Sequence, residues 1–484
     1  MRILCVASEC YPLIKTGGLA DVVGALPLAL QEEGVGIQVF LPGFPDVLAG
    51  LSGLKEIAEI GKRAGKKARL VSGKTSTGLT IVALDAPHLF GFKGNPYVGP
   101  DGKDRPNALD RYSTFSKAAA DYASGKFTDW RADILHAHDW QAGLAVAYIA
   151  EQAATKGAYS PKTVFTIHNL AFQGLFPAAE WKTTGLPKSY FTRDGLEYWD
   201  QISLMKAGLV YSDKITTVSP TYALEIQTDR DGMGLGGLLK SRAADLQGIV
   251  NGIDTDVWNP KTDPELPQGY EIGKLAGKRA CKAALQGQYS LPVKPRTPVF
   301  SVISRLTSQK GLDLLSQLVP MIVDRGGQLV LLGSGDKALE AAFTMAASEY
   351  PDHVGVQIGY NEPLAHLIQA GSDITMVPSR FEPCGLTQLC GLRYGTIPLV
   401  ARVGGLADTI IDSNVAALSK KVSNGVQFYP PTVEALADAV DKSFKLYADK
   451  KIWNQMVKSA MAQDVSWNGP ADQYRQLYSE VISD

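Results

Sequence analysis

Two cations, Arg305 and Lys310, stand five positions apart in Ser304-Arg305-Leu306-Thr307-Ser308-Gln309-Lys310-Gly311, with no acidic residue between them. Brought together they repel unless an anion is shared. A diphosphate fits, with the guanidinium forking its oxygens and the ammonium acting as a point charge. A second segment, Pro378-Ser379-Arg380-Phe381-Glu382-Pro383-Cys384-Gly385-Leu386-Thr387, sets a carboxylate beside a helix start. Pro383 restrains Glu382 to extended backbone, and Gly385-Leu386-Thr387 can open a helix whose first amides are free. A fixed carboxylate beside an anion-binding helix end suits a ligand with sugar hydroxyls and phosphate, and Cys384 falls within that group.

The sequence Gly-Gly-Leu-Ala-Asp occurs twice, at 17–21 and 404–408, each time after an apolar run and with a cation two positions upstream, Lys15 or Arg402. Paired glycines turn tightly and present bare amides at a helix N-terminus, where phosphate or a sugar hydroxyl can sit. One copy in each half of the chain suggests a cleft whose two walls grip one ligand. Two further polar strand ends are His136-Ala137-His138-Asp139-Trp140-Gln141 and Thr166-Ile167-His168-Asn169. The first could suggest a metal, but zinc needs three or four ligands, and no further imidazole or thiolate stands near in sequence. Asp139 is better placed to meet a polar ligand, the plainer alternative being a hydrogen-bonded loop with a packed Trp140. Asn251-Gly252-Ile253-Asp254-Thr255-Asp256 reads as a hinge turn with Asn251 facing the cleft, and its two aspartates as turn residues rather than metal ligands.

These residues need strands to hold them. Short apolar runs recur at 3–7, 37–41, 79–84, 134–136, 164–167, 214–218 and 248–250, then at 299–303, 328–332, 354–358, 374–377, 397–400 and 426–428. Helical patterns between such runs mean βαβ units and parallel sheets. After the first glycine pair, Leu19, Val22, Val23, Leu26 and Leu30 keep one helix face apolar. A proline-rich break lies between Asp254 and Arg296. The expected fold is therefore α/β, with two doubly wound parallel-sheet domains facing a deep cleft and ligands beyond the strand carboxyl ends.

Composition agrees with an ordinary soluble globular protein. The 484 residues carry 48 basic and 49 acidic side chains, leaving no basic footprint for nucleic acid or an anionic membrane. The apolar start is too short for a signal peptide or a spanning helix. Five cysteines without a CxxC pair argue against a disulfide framework and for a reducing cytoplasm.

In their order along nearly the whole chain, the KTGGLADV, HAHDW, TIHNLAFQG, SRLTSQKG, PSRFEPCGLTQ and GGLADT segments resemble the bacterial glycogen synthase and plant starch synthase family. These are glycosyltransferases of the GT-B type, with two Rossmann-like domains. The resemblance implies transfer of glucose from ADP-glucose to the non-reducing end of an α-1,4-glucan, with retention at the anomeric carbon, no metal and no cofactor. It implies that Arg305 and Lys310 neutralise the diphosphate, with Lys15, Gly17 and Gly18 approaching it from the other domain. Amides at Leu386 and Thr387 would hold the distal phosphate, Tyr360 would stack on adenine, and Glu382 would bind glucosyl hydroxyls. Asp139, His168 and Asn251 would surround the sugar and the reacting face. Asp21, Tyr97 and Asn169 fall to the acceptor side. The implied domains are residues 1–250 for the acceptor, 251–460 for the donor, and a C-terminal helix within 461–484 crossing back to the first. No obligate protein partner is evident.

Two positions depart from the family pattern. Val403 stands where Thr usually precedes the second glycine pair, so a hydroxyl contact to phosphate is lost there. Cys390 stands where many related retaining transferases carry a second glutamate. A front-face mechanism, in which the diphosphate oxygen takes the acceptor proton, is then the remaining hypothesis. The alternatives are the same fold using UDP-glucose or a small acceptor, and a non-catalytic glucan-binding homologue. An NAD-dependent oxidoreductase is disfavoured because no G-x-G-x-x-G follows the first strand.

Overall fold

The computed structural model describes residues 1–63, 65–99, 102–155, 157 and 159–483. Contacts divide the chain into two compact units, Met1–Asn251 with Trp467–Asp484, and Gly252–Ser466.

The strands of the first unit are β1 (Arg2–Val6), β2 (Gly36–Pro42), β3 (Ser52–Arg63), β4 (Lys66–Lys74), β5 (Thr80–Asp85), β6 (Ile134–His138), β7 (Lys162–Ile167), β8 (Leu175–Pro177), β9 (Glu197–Tyr198), β10 (Gln201–Ser203), β11 (Lys214–Thr217) and β12 (Leu246–Gly248). Nine of them form one sheet in the order β12-β11-β7-β6-β1-β2-β5-β4-β3, and β8-β10-β9 form a small second sheet. Successive β-strands leave β1 through β2 on one side, and the chain returns through β6 on the other, so the order reverses between β1 and β6. In an open α/β sheet that reversal opens a crevice at the strand carboxyl ends.

The sheet is parallel except at one edge, where β4 runs antiparallel to both β3 and β5. This hairpin lies outside the sequence expectation, because its many charged residues break the apolar runs that mark buried strands. An antiparallel edge with one wet face tolerates that pattern. The last strand also falls two residues earlier than the expected 248–250.

Helix Gly18–Glu32 buries Leu19, Val22, Val23, Leu26 and Leu30, the face its periodicity marks. Helix Asn468–Ser483 belongs to this unit's core through Ala471, Tyr474, Leu477, Tyr478 and Val481.

The second unit has β13 (Val299–Ile303), β14 (Gln328–Gly333), β15 (Val354–Ile358), β16 (Ile374–Val377), β17 (Ile397–Ala401) and β18 (Val426–Phe428). They form one sheet in the order β15-β14-β13-β16-β17-β18, parallel throughout. Its order reverses between β13 and β16, which pair at Phe300↔Ile374 and Ser301↔Thr375. Among the described residues no helix is long and apolar enough to cross a membrane.

Candidate active site

In the second unit the two loops leaving the reversal point meet. Lys310 closes the short helical turn Ser308–Lys310 after β13, and Glu382 lies in the loop after β16. The Lys310 Nζ lies 2.5 Å from Glu382 Oε2, which also accepts from Ser379 Oγ at 2.8 Å. Glu382 is only 5% exposed, so its charge depends on those partners. Gly311 makes the approach possible: at φ +66 it faces Pro378, whose carbonyl oxygen would stand 2.0 Å from an added Cβ. Arg380 clamps the same two loops, bonding both Asp313 oxygens at 2.6 and 2.7 Å. Arg305 leaves β13 exposed.

Helix Thr387–Tyr394 follows Gly385, which holds φ +75, and Leu386 sits at its N-cap without a side-chain cap bond. The first amides of this helix therefore carry no capping side chain, as an anion-binding end requires. Gln388 Nε2 donates back to the carbonyls of Cys384 and Gly385 at 3.0 and 2.8 Å, fixing the turn. Tyr360 follows β15, is 74% exposed as a residue, and bonds Glu362 through its hydroxyl.

The second Gly-Gly-Leu-Ala-Asp differs from the expectation of an anion cradle. Its helix, Gly404–Thr409, has six residues, and the Gly405 amide is taken by the carbonyls of Glu382 and Pro383 at 3.1 and 3.2 Å. An added Cβ at Gly405 would lie 2.4 Å from Cys384 Cα. This copy buttresses the Glu382 loop from behind. The first copy opens the fifteen-residue helix Gly18–Glu32. Gly17 and Gly18 are exposed, and a Cβ at Gly17, where φ is −162, would meet nothing within 4 Å. Neither packing nor backbone geometry requires glycine at position 17.

In the first unit, Lys15 Nζ pairs with Asp21 Oδ1 at 2.8 Å. Glu9, which sequence reading passed over, pins the loop before them. It accepts from the Thr16 amide, and its Oε1 accepts from Thr16 Oγ1 and Tyr97 Oη, both at 2.6 Å. Ser8 Oγ lies 2.7 Å from the same phenol. The signal was available, since Glu9 is a polar residue just past a buried strand, like Asp139. Tyr97 is thus committed through its hydroxyl, and burial with the neighbouring Glu9 charge pushes its pKa well up.

Asp139 begins the helix after β6 in left-handed backbone, φ +57, a strained conformation for a non-glycine residue. Its Oδ1 accepts the amides of His168 at 2.7 Å and Asn169 at 3.4 Å, joining the ends of β6 and β7. Burial raises the Asp139 carboxyl to about 7 against the lowering effect of those amides.

Three imidazoles line up behind it. His138 Nδ1 lies 2.9 Å from His168 Nε2, and the rings of His136 and His138 are 4.1 Å apart. Folding therefore supplies the further imidazole that sequence distance concealed. His136 is nonetheless committed to Tyr478 Oη at 2.7 Å and Thr166 Oγ1 at 2.5 Å. Burial lowers His136 and His168 to about 3 and His138 well below its ordinary value. Among the described residues no group of His, Cys, Asp or Glu is arranged to hold a metal ion.

Asn169 Oδ1 accepts from the Ala171 amide at 3.1 Å. Asn251, at the end of the first unit, is 6% exposed with its Oδ1 buried and unpartnered. A buried acceptor left open is costly unless something bonds to it. Asp254 Oδ1 caps its own turn, accepting from the amides of Asp256 and Val257 at 3.0 and 3.1 Å.

Known proteins share both units. The starch synthase catalytic domain family matches residues 2–241, and glycosyl transferases group 1 matches residues 289–460. The glycogen synthase of Rhodopseudomonas palustris (strain BisB18) is 51% identical over 480 residues, covering 99% of this chain and 97% of that protein. The glycogen synthase of Roseobacter denitrificans is 50% identical over 482 residues, the full length of both. The catalytic domain of starch synthase IV from Arabidopsis thaliana, solved bound to ADP and acarbose, superposes with a TM-score of 0.90 at 33% identity. That match covers 100% of this chain and 99% of the plant domain. Sucrose-phosphate synthase from Thermosynechococcus elongatus shares the fold at a TM-score of 0.61 and 17% identity.

Proposed function

Because this chain belongs to the glycogen synthase and starch synthase family of GT-B glycosyltransferases, we propose that it transfers glucose from ADP-glucose to the non-reducing end of an α-1,4-glucan, with retention and without a metal. The observation that carries this reading is the Lys310–Glu382 pair at the strand reversal of the second unit, beside the uncapped helix start at Thr387. The ADP bound to the plant relative supports an adenine nucleotide in the corresponding role.

In this reading Arg305 and Lys310 meet the diphosphate, the amides of Gly385, Leu386 and Thr387 take its distal phosphate, and Cys384 lies alongside. Tyr360 offers its exposed ring to adenine. Donor binding draws Lys310 toward phosphate and frees Glu382 for glucosyl hydroxyls. The bond between the anomeric carbon and the phosphate oxygen breaks, and its electron pair leaves with ADP. Negative charge grows on the diphosphate, where fixed cations stabilise it more than in the ground state. The acceptor hydroxyl attacks from the same face, and its proton passes to the departing phosphate oxygen.

The first unit supplies the surroundings of the sugar and the acceptor. Lys15, Gly17 and Gly18 form an anion-binding helix start, and Asn251 offers its open acceptor atom to a hydroxyl. Asp139 and His168 form a rigid wall whose imidazole stays neutral, while Asp21, Tyr97 and Asn169 take the acceptor. The five cysteines, all buried and none in a disulfide, suit a reducing cytoplasm.

Labelled glucose supplied as ADP-glucose or UDP-glucose, with glycogen and EDTA present, tests this. Label entering the polymer from ADP-glucose alone is expected. Transfer only from UDP-glucose would replace the donor, and nucleotide release without polymer labelling would replace the acceptor.

A further inference from the structure

Trp199 is 81% exposed at the tip of the hairpin joining β9 to β10. Trp199 and the next residue, Asp200, both hold left-handed backbone, with φ +50 and +58. Two-residue hairpin turns of this kind favour glycine and asparagine, and other side chains are strained there. An outward indole also forgoes the burial its large apolar surface would favour. Two unfavourable features coincide in one turn, and together they hold a ring in solvent.

The turn is stiff. The Asp200 amide donates to Glu197 Oε1 at 2.8 Å, and Tyr198 Oη donates to the Met233 carbonyl at 3.0 Å. Gly234 makes room for that phenol, which a Cβ would meet at 2.1 Å. Ser203 pairs with Leu175 on β8, and the amides of Leu204 and Met205 bond the carbonyls of Gly174 and Gln173 at 3.1 Å each. The same segment begins at His168 and Asn169. The indole therefore stands on a rigid extension of the loop that carries these candidate residues.

We propose that Trp199 is an aromatic platform for an α-glucan chain, a carbohydrate subsite of the first unit apart from the reacting end. It rests on the reading of a glucan as acceptor. The C–H face of a glucose ring stacks on an indole, and Glu197, Asp200 and Gln201 beside it offer partners for hydroxyls. A lone indole among acidic side chains is too small for a stable protein interface, which buries about 800 Å² per partner. One sugar ring matches one indole face. From Leu175 the length of β10 carries the ring roughly 10 Å further, so a long acceptor gains a contact there that a short one held at Asn169 lacks.

The test uses the full chain with Trp199→Ala and Trp199→Phe. Titration with maltoheptaose, without donor, is followed by calorimetry, and initial rates are measured with maltotriose and with glycogen. Trp199→Ala should weaken maltoheptaose binding and raise the glycogen KM about tenfold, near 1.4 kcal/mol. Its kcat and its maltotriose rate should stay at wild-type values, and Trp199→Phe should retain most of the affinity. Unchanged glycogen KM and unchanged maltoheptaose binding would overturn the platform. So would an equal loss with maltotriose, or a changed oligomeric state, which would assign the ring to a protein contact. Wild-type protein that binds maltoheptaose through Trp199 yet transfers no glucose would instead overturn the proposed function and leave the platform standing.

Discussion

Glu382 and Lys310 neutralise one another at 2.5 Å, so in the proposed function a ligand must separate them before either can act. Lys310→Ala removes a leaving-group cation and should lower kcat about 10²–10³-fold. It also strands a buried carboxylate, so a melting curve must accompany the rate. Arg305→Ala is the cleaner companion, because Arg305 is exposed, and it should lower kcat by a similar factor with an unchanged melt. Wild-type turnover in both variants would contradict the diphosphate assignment.

Asp139 yields a prediction in pH. Its folded value, about 7, lies above its ordinary 3.8, so the folded state binds the proton more tightly and stability from this group falls as pH rises between those values. His136 and His168, lowered to about 3 from 6.5, act oppositely and lose stability as pH falls below 6.5. Asp139→Asn removes only the carboxyl's ionisation. Unfolding free energies from denaturant titration should shift in the variant's favour by up to about 4 kcal/mol from pH 4 to pH 7, then stay level. A stability difference independent of pH would contradict the raised value.

At the scale of elements, β-strand ends do the positioning, and they set how much of the site can be read from sequence. Arg305, Glu382, Asp139 and His168 are legible because each follows a buried apolar run, and parallel sheets gather such ends at the order reversal. The two Gly-Gly-Leu-Ala-Asp copies are identical in sequence, yet what the amide of each second glycine bonds to depends on tertiary neighbours. Gly405 faces the Glu382 carbonyl, a long-range contact that spacing cannot encode. Gly405→Ala should therefore displace Cys384 and its loop, and abolish most ADP binding while far-UV dichroism is preserved. Unaltered ADP affinity would refute the buttress.

Glu9 and the small β8-β10-β9 sheet escape sequence reading for different reasons. Glu9 carries the same strand-end signal as Asp139, but its partner Tyr97 lies 88 positions away in sequence, whereas the small strands have only two or three residues each, too few for a period. Helix Asn468–Ser483 reaches the imidazole row through Tyr478 and His136. Tyr478→Phe leaves the buried His136 Nδ1 without a partner and should cost about 1–3 kcal/mol. Chemical denaturation checks this, and an unchanged midpoint would remove the tie.

Each of the two units of the whole molecule holds its own mainly parallel sheet and core, and the chain's last helix is packed in the first. Deleting residues 467–484 would uncover the sites of Trp467, Tyr474, Leu477, Tyr478 and Val481, all buried. The first unit should then melt at lower temperature while the second keeps its transition, as calorimetry on the truncated chain would register. Equal loss in both transitions would contradict the division of cores. The two-sheet plan is legible in the sequence because buried parallel strands read as apolar runs. The charged β3–β4 edge is not, because an exposed antiparallel hairpin needs no such run.

The proposed diphosphate site of the second unit is tested most directly by ADP titration calorimetry, in EDTA, on the wild-type chain and on the double variant Arg305→Ala, Lys310→Ala. Clear binding to wild type, weakened about 10²-fold or more in the double variant with its fold intact, is the predicted result. ADP bound equally well by both would contradict the site.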